Sequence, residues 1–426
     1  MASAILGGWP ARHCYKNGRD HSSENESRKP EGSLRCLLMI AAPDDVLDYP
    51  LATDGDIAVI NLASARQQSW SRFWQDPQRP GIAEYIVERE QLTAQYVGDL
   101  TALDRLETLV NQLDRVSTGA MRTALIHAQV AAMAHRFAEA QNHLAQAESR
   151  GATRADVERL RLSIDQACGT RLGSVLEVRQ QMAAESGRLE DLVPLGSLHA
   201  DLGNFDEADR IYDRALREYT DVSPFAAAWV CFQRGVLWGE LVPEARLGRA
   251  ALWYRKAIEY LPCYVKARVH LSEIYLQSGN FADAESLLVP VTSSGDPEVS
   301  WRLADVLLAM DRLAESEAQM QVARLGFEQL LSNHPLAFAD HGAEFYSGSG
   351  KNAQRAFELA SINLANRPTL RAFEQAYQTA VGAEETDAAS ELLVAARSRW
   401  GATKAFGLSP LAQINASNQK SAGATP

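Results

Sequence analysis

Between about Gly81 and Gly401 the hydrophobic positions recur at spacings of three and four, the period of one helix face. In "LGSLHADLGNFDEADRIYDRALREY" (Leu195 to Tyr219), Ala208, Ile211, Tyr212, Ala215, Leu216 and Tyr219 fall on one stripe. A short motif restarts that stripe: "RFAEA" at Arg136, "NFDEA" at Asn204, "NFADA" at Asn280 and "RLAES" at Arg312. Phe or Leu plugs the gap between two helices. The acid sits in the first turn, where the helix dipole favours negative charge, and the small residue lets a partner helix approach. Asn204 and Asn280 are expected to cap the new helix. Twelve positions before each motif's small residue stands another small residue: Ala128, Gly196, Ser272 and Ala304. Pro262, Pro297, Pro335 and Pro368 stand where new hairpins begin. Such a pair cannot bury both its faces alone, so the pattern predicts stacking.

The flanks read differently. Residues 1–33 are polar, charged and broken by Pro and Gly, and are expected to be disordered. Residues 34–80 form an irregular segment that possesses one apolar piece, "DIAVINLA" (Asp56 to Ala63), a strand or a helix start, and the aromatic "SWSRFWQDP" (Ser69 to Pro77). Residues 402–426 are small and polar and are expected to fray. That leaves 81–401 as the array, with its best repeats over 120–330.

The layout resembles the tetratricopeptide repeat (TPR) family. The matching residues are Leu195, Gly196, Gly203, Phe205, Ala208, Tyr212 and Ala215, then Leu271, Tyr275, Gly279, Phe281 and Ala284. A third unit runs from Gly235 through Ala250, Tyr254 and Ala257 to Pro262, but with three extra residues in "GELVPEARLGR". The resemblance implies an all-α fold: a right-handed superhelical solenoid of about nine stacked antiparallel helix pairs at the family's ~34-residue period, with a short irregular N-terminal segment. It also implies a non-catalytic protein–protein interaction scaffold that binds along the concave groove lined by the first helices.

Counted from the small residue of each first helix, offsets −6, −3 and +1 share a face. The −3 column is apolar (Leu125, Val193, Phe232, Val269, Trp301), and Trp229 and Val236 extend it beside Phe232. Glu273 and Asp305 rim it. Trp229, Phe232, Val236, Val269, Glu273, Trp301 and Asp305 thus form the candidate partner site, suited to a protein or peptide segment with apolar anchors and basic flanks. Two other readings stay open. Position −3 packs against the next repeat's first helix, or the chain fills its own groove with "LRCLLMI" (Leu34 to Ile40) or the Trp70–Phe73–Trp74 cluster, which otherwise caps the first hairpin. A regulatory sensor of a peptide or small ligand, or an accessory subunit of an enzyme complex, is the alternative function.

Composition narrows the partners. The formal charge of −12 repels phosphate backbones and anionic lipid, so neither nucleic acid nor a membrane is expected. The scattered Cys14, Cys36, Cys168, Cys231 and Cys263 offer no paired framework, and with no spanning apolar run the expected location is cytoplasmic. Catalytic motifs are missing, and no cofactor is implied. "GSGKN" (Gly348 to Asn352) lacks the first glycine and the Ser/Thr of a phosphate loop and reads as a hairpin turn. "HGAE" (His341 to Glu344) offers two ligand types without a third. His127, His135 and His143 cannot converge along one helix, and Cys231 and Cys263 read as small buried hydrophobes.

Overall fold

The computed structural model describes residues 50–414 apart from Thr118. The leader at 1–33, the "LRCLLMI" stretch and the tail from 415 lie outside the described residues. Among the described residues there are helices and no strand. Helix α1 (Gly55–Gln75) precedes nine antiparallel pairs. The first five are α2 (Ile82–Leu92) with α3 (Ala102–Val116), α4 (Met121–Met133) with α5 (Phe137–Ser149), α6 (Arg154–Ala167) with α7 (Leu172–Ser186), α8 (Leu189–Asp201) with α9 (Phe205–Arg217), and α10 (Pro224–Val236) with α11 (Leu247–Tyr260). The next four are α12 (Val265–Gln277) with α13 (Phe281–Leu288), α14 (Pro297–Ala309) with α15 (Leu313–Asn333), α16 (Pro335–Ser347) with α17 (Ala353–Asn366), and α18 (Leu370–Gly382) with α19 (Thr386–Trp400). A short α20 (Lys404–Leu408) follows. No helix among them is long and apolar enough to cross a membrane.

Each pair closes as its small residues require. A Cβ on Gly196 would stand 2.7 Å from the Tyr212 ring, so only glycine lets α8 and α9 approach that far. In the α14–α15 pair, Ser316 Oγ donates to the carbonyl of Ala304 at 2.7 Å. The asparagines do something other than capping. Asn204 and Asn280 make no side-chain cap; their backbone N–H groups donate back to His199 and Tyr275 at 2.8 Å, closing the tight turn after a left-handed glycine. The Asn204 side chain is instead an acceptor for Lys404 at 3.0 Å.

The flanks are more ordered than their composition suggests. "DIAVINLA" opens the 21-residue helix α1, so 55–75 is helical rather than irregular. Its Phe73 is fully buried against α2 and α3, and Trp70 Nε1 donates to Glu90 at 2.7 Å. The Trp70–Phe73–Trp74 cluster therefore caps the first hairpin. At the other end Phe406 and Leu411 are buried beside Trp400, which holds 402–414 against the array.

The solenoid also closes on itself. The turns within the first four hairpins reach hairpins that lie far along the chain. Gly98 abuts Val265 and Ser294, and His334 Nε2 meets Asp104 at 2.9 Å. Asn366 donates to the carbonyl of His135 (2.9 Å) and Arg399 to that of Gly169 (3.1 Å). Gly203 abuts Ala405, while Tyr260 donates to the carbonyl of Pro50 at 3.0 Å. Leu100 and Leu103 complete the seam by joining the core of hairpins 7 and 8. A first coil of hairpins thus rests on a second, because the small rotation between neighbours accumulates until the array meets itself.

Candidate functional site

The −3 column points into the stack. Phe232 is 6% exposed, its ring 5.2 Å from Tyr264 and 5.4 Å from His270, both at the next hairpin's first helix. Val269 is buried with Val299 and Leu303 of α14. Trp301 is buried edge-on to Phe345 of α16 at 5.4 Å. Trp229 and Val236 are buried in the same cluster as Phe232. The structure therefore scatters the five apolar residues of the expected site over three core clusters, where they hold neighbouring repeats together. The two acids are already engaged. Glu273 pairs with Arg302 at 2.5 Å, and Asp305 accepts from Ser349 at 2.7 Å. Among the described residues these seven do not form an apolar groove with free acidic borders; the large rings at −3 find their burial in the next repeat instead.

What lies between successive first helices beside these rings is charge, from positions one step away. On α12, α14 and α16 the residues at −2 are His270, Arg302 and Asp340. Arg302 is buried among Glu273, Glu298 (3.6 Å) and Glu344 (2.8 Å), so one guanidinium ties three successive first helices. His270 lies 3.0 Å from Glu240. Burial by itself lowers its pKa, yet Glu240 and Glu273 outweigh burial and hold the imidazole well above its ordinary range. Asp340 pairs with Arg367, which with His341 and His135 overcomes burial and holds the carboxyl down at about 2. Lys266 is buried too, and burial brings its amine down to about 7 against the pull of Asp296, Glu298 and Asp340. The "HGAE" residues His341 and Glu344 belong to this ladder. Among the described residues no group of three or more His, Cys, Asp or Glu is placed to hold a metal.

The ladder runs into a partly enclosed cavity of about 130 Å³ at the seam. Its first-coil wall is Gln166, Leu172, Asp201, Phe205 and Leu241, and its second-coil wall includes Asp340, His341, Arg367, Arg371 and Glu374. Most of these polar groups serve one another. Gln375 donates to the carbonyl of Asp340 (2.8 Å), Asn363 donates to Gln375 (3.2 Å), and Ser409 donates to Glu374 (2.6 Å). Asp201 is different. It accepts from Gln166 at 3.0 Å but is otherwise exposed, and because protein surrounds it the exposure opens into the cavity. That enclosure pushes its carboxyl up to about 6, against the Gln166 hydrogen bond and the positive charge of Arg371.

Leu241 reaches this wall through the longer turn. After α10 the chain runs through a π-helical turn, Leu237–Leu241, that carries Leu241 to the cavity and Glu240 to His270. Elsewhere the turns do only structural work. "GSGKN" joins α16 to α17, with the Asn352 side chain capping at Arg355 N. His127 and His143 do meet, but across α4 and α5, stacked at 4.7 Å, with His127 on Asp114 at 2.9 Å. Cys231 is fully buried and its thiol pushed up to about 12. The signal for the ladder was present in the chain, as charges four apart (Lys266 and His270, Glu298 and Arg302) on otherwise apolar helices.

No protein-family model matches the chain, and no curated protein matches it. Among solved structures it is similar to a chain of the APC/C hetero-tetramer Cut9–Hcn1 (13% identity, 82% of this chain, TM-score 0.39). It spans 66% of that chain, just under two thirds. It is also similar to yeast Tom70 (12% identity, 85% of this chain and 97% of that one, TM-score 0.33). A monomeric IFIT1 mutant with Gppp-AAAA gives 13% identity over 84% of this chain and 87% of that one, TM-score 0.40. At these TM-scores the likeness carries no functional argument; the weight falls on the hairpins, with Gly196 against Tyr212 and Gly235 against Tyr254. The array is TPR-like. Its first helices α12, α14 and α16 carry buried charge between them.

Proposed function

We propose that this TPR-like chain is a non-catalytic interaction scaffold that holds a segment of a protein partner at its inner wall, with the seam cavity receiving a charged end or side chain of that segment. The observation that supports it is the convergence of α8, α16 and α18 on one partly open space that keeps Asp201 accessible while surrounding it with protein. Elsewhere the inner wall satisfies its own charges. The segment's recognition chemistry is accordingly set by Asp201, and not by apolar anchors reaching Trp229 or Trp301.

Capture tests this reading. The full chain is used as bait beside Leu241→Trp, which fills the cavity, and Asp201→Asn. Partners retained by the parent are expected to be lost from both variants, with far-UV circular dichroism and melting unchanged. A partner held equally by the cavity-filled variant overturns the proposal. The cavity's volume, close to that of a small molecule, favours a second reading as a ligand sensor.

A further inference from the structure

We propose that the chain's own segment 34–42, "LRCLLMIAA", docks on the exposed apolar face of α1, on Ile57 and Ile60 with Leu51 and Val222 beside them, and so covers that end of the array. The inference goes beyond the scaffold reading and draws on neither the seam cavity nor a partner.

The face comes first. α1 turns Ala58, Leu62 and Phe73 into the array. Its opposite side carries Ile57, Ile60, Ser64, Gln67, Ser71 and Trp74, spaced by three and four with no charge among them. Ile60 is 67% exposed and Ile57 53%. Leu51 and Val222 widen the patch, at 90% and 59% exposed. Thr53 N donates to the carbonyl of Val222 at 2.8 Å, which sets the α9–α10 connection beside the start of α1. A helix that closes off a solenoid needs a polar outer face, and this one is apolar where it begins.

Reach selects the occupant. Pro50 is fixed in place, because the Tyr260 hydroxyl donates to its carbonyl at 3.0 Å. From Pro50 back to Ala42 is eight residues, at most about 29 Å of chain. The stretch of α1 from Gly55 to Ile60 is only about 8 Å long. The connector 43–49, "PDDVLDY", has Pro43 to break any continuing element and Asp44, Asp45 and Asp48 to keep it in water. The segment's chemistry matches the patch. From Cys36 to Ala42 it carries no charge, and Leu34, Leu37, Leu38 and Ala41 recur at the spacing of one helix face. So short a tether gives an effective concentration on the order of millimolar, which any occupant arriving from solution has to overcome.

Hydrogen exchange on the full chain tests the contact. Amides 37–41 are expected to exchange roughly tenfold or more slower than in the free peptide 34–42. Ile60→Glu on the face and Leu38→Glu in the segment should each remove that protection, and the two together should remove no more. Ile60 is exposed, so circular dichroism should show the helices intact in Ile60→Glu. Tryptic cleavage after Arg35 should be faster in the same variant. Val394→Glu, at an exposed valine of α19, should leave the protection in place. Amides 37–41 exchanging at the free-peptide rate overturn the inference, as does protection that survives Ile60→Glu. Protection that vanishes on dilution, together with a dimer in sedimentation, gives the face to a second copy and overturns it as well. None of these outcomes bears on the capture experiment, whose variants lie in the cavity.

Discussion

Replacing Trp301 by Ala separates an inter-repeat core from a groove. Trp301 is 1% exposed, edge-on to Phe345 at 5.4 Å and to Phe327 at 6.1 Å, with the Arg302 guanidinium 3.5 Å over its ring. A buried indole removes roughly 200 Å² from water, and at about 25 cal/mol/Å² that gives an upper figure near 5 kcal/mol. Large-to-small substitutions at such sites cost about 3–5 kcal/mol, so about 4 kcal/mol is expected here. A ring on an open groove would cost about 0.5 kcal/mol or less. Urea denaturation gives the total, and hydrogen exchange gives its location. Protection should fall in α14, α15 and α16 first. It should also fall in α3, because Leu100 and Leu103 share the Trp301 cluster across the seam. A loss below about 1 kcal/mol would return Trp301 to the surface; an α3 with unchanged exchange would mean the coils do not touch.

Three further outcomes follow. Arg302→Met should destabilise by about 3–5 kcal/mol in chemical denaturation, because Glu273, Glu298 and Glu344 are left facing one another in a buried space. Asp201 has a folded pKa raised to about 6 from 3.8, so its contribution is fully present below about pH 4 and is lost as pH rises through 6. Melting scans across that window should show a decline that Asp201→Asn flattens. Glu384 is exposed and sits at φ 61, the left-handed position that glycine fills at the equivalent turns of other hairpins. Glu384→Gly should raise stability by about 0.5–1 kcal/mol, read from the denaturation midpoint; a decrease would show that the turn is not strained.

The hairpins were readable because their causes are local. An apolar period of three and four, an acid in the first turn and a small residue twelve positions upstream act within some thirty residues, and the helices lie where that pattern puts them. The burial of Trp301 and Phe232 was not decided at that range. Both a groove and a stack suit a large ring at −3, and only the neighbour's placement, Phe345 in one case and Tyr264 in the other, settles which. Asp201 shows the limit most plainly, since nothing beside it in the chain marks it out.

By itself the sequence determined the elements and their pairing: all-α, two helices per unit, Gly196 and Gly235 where rings press close, an acidic chain with no linked cysteine framework in its pattern. The tertiary structure alone decided that the coils meet, because closure is the sum of many small rotations between neighbours and no single residue encodes it. From that meeting come the seam from Gly98 to Val265 and Gly203 to Ala405, and the cavity where Asp201 of one coil faces the other.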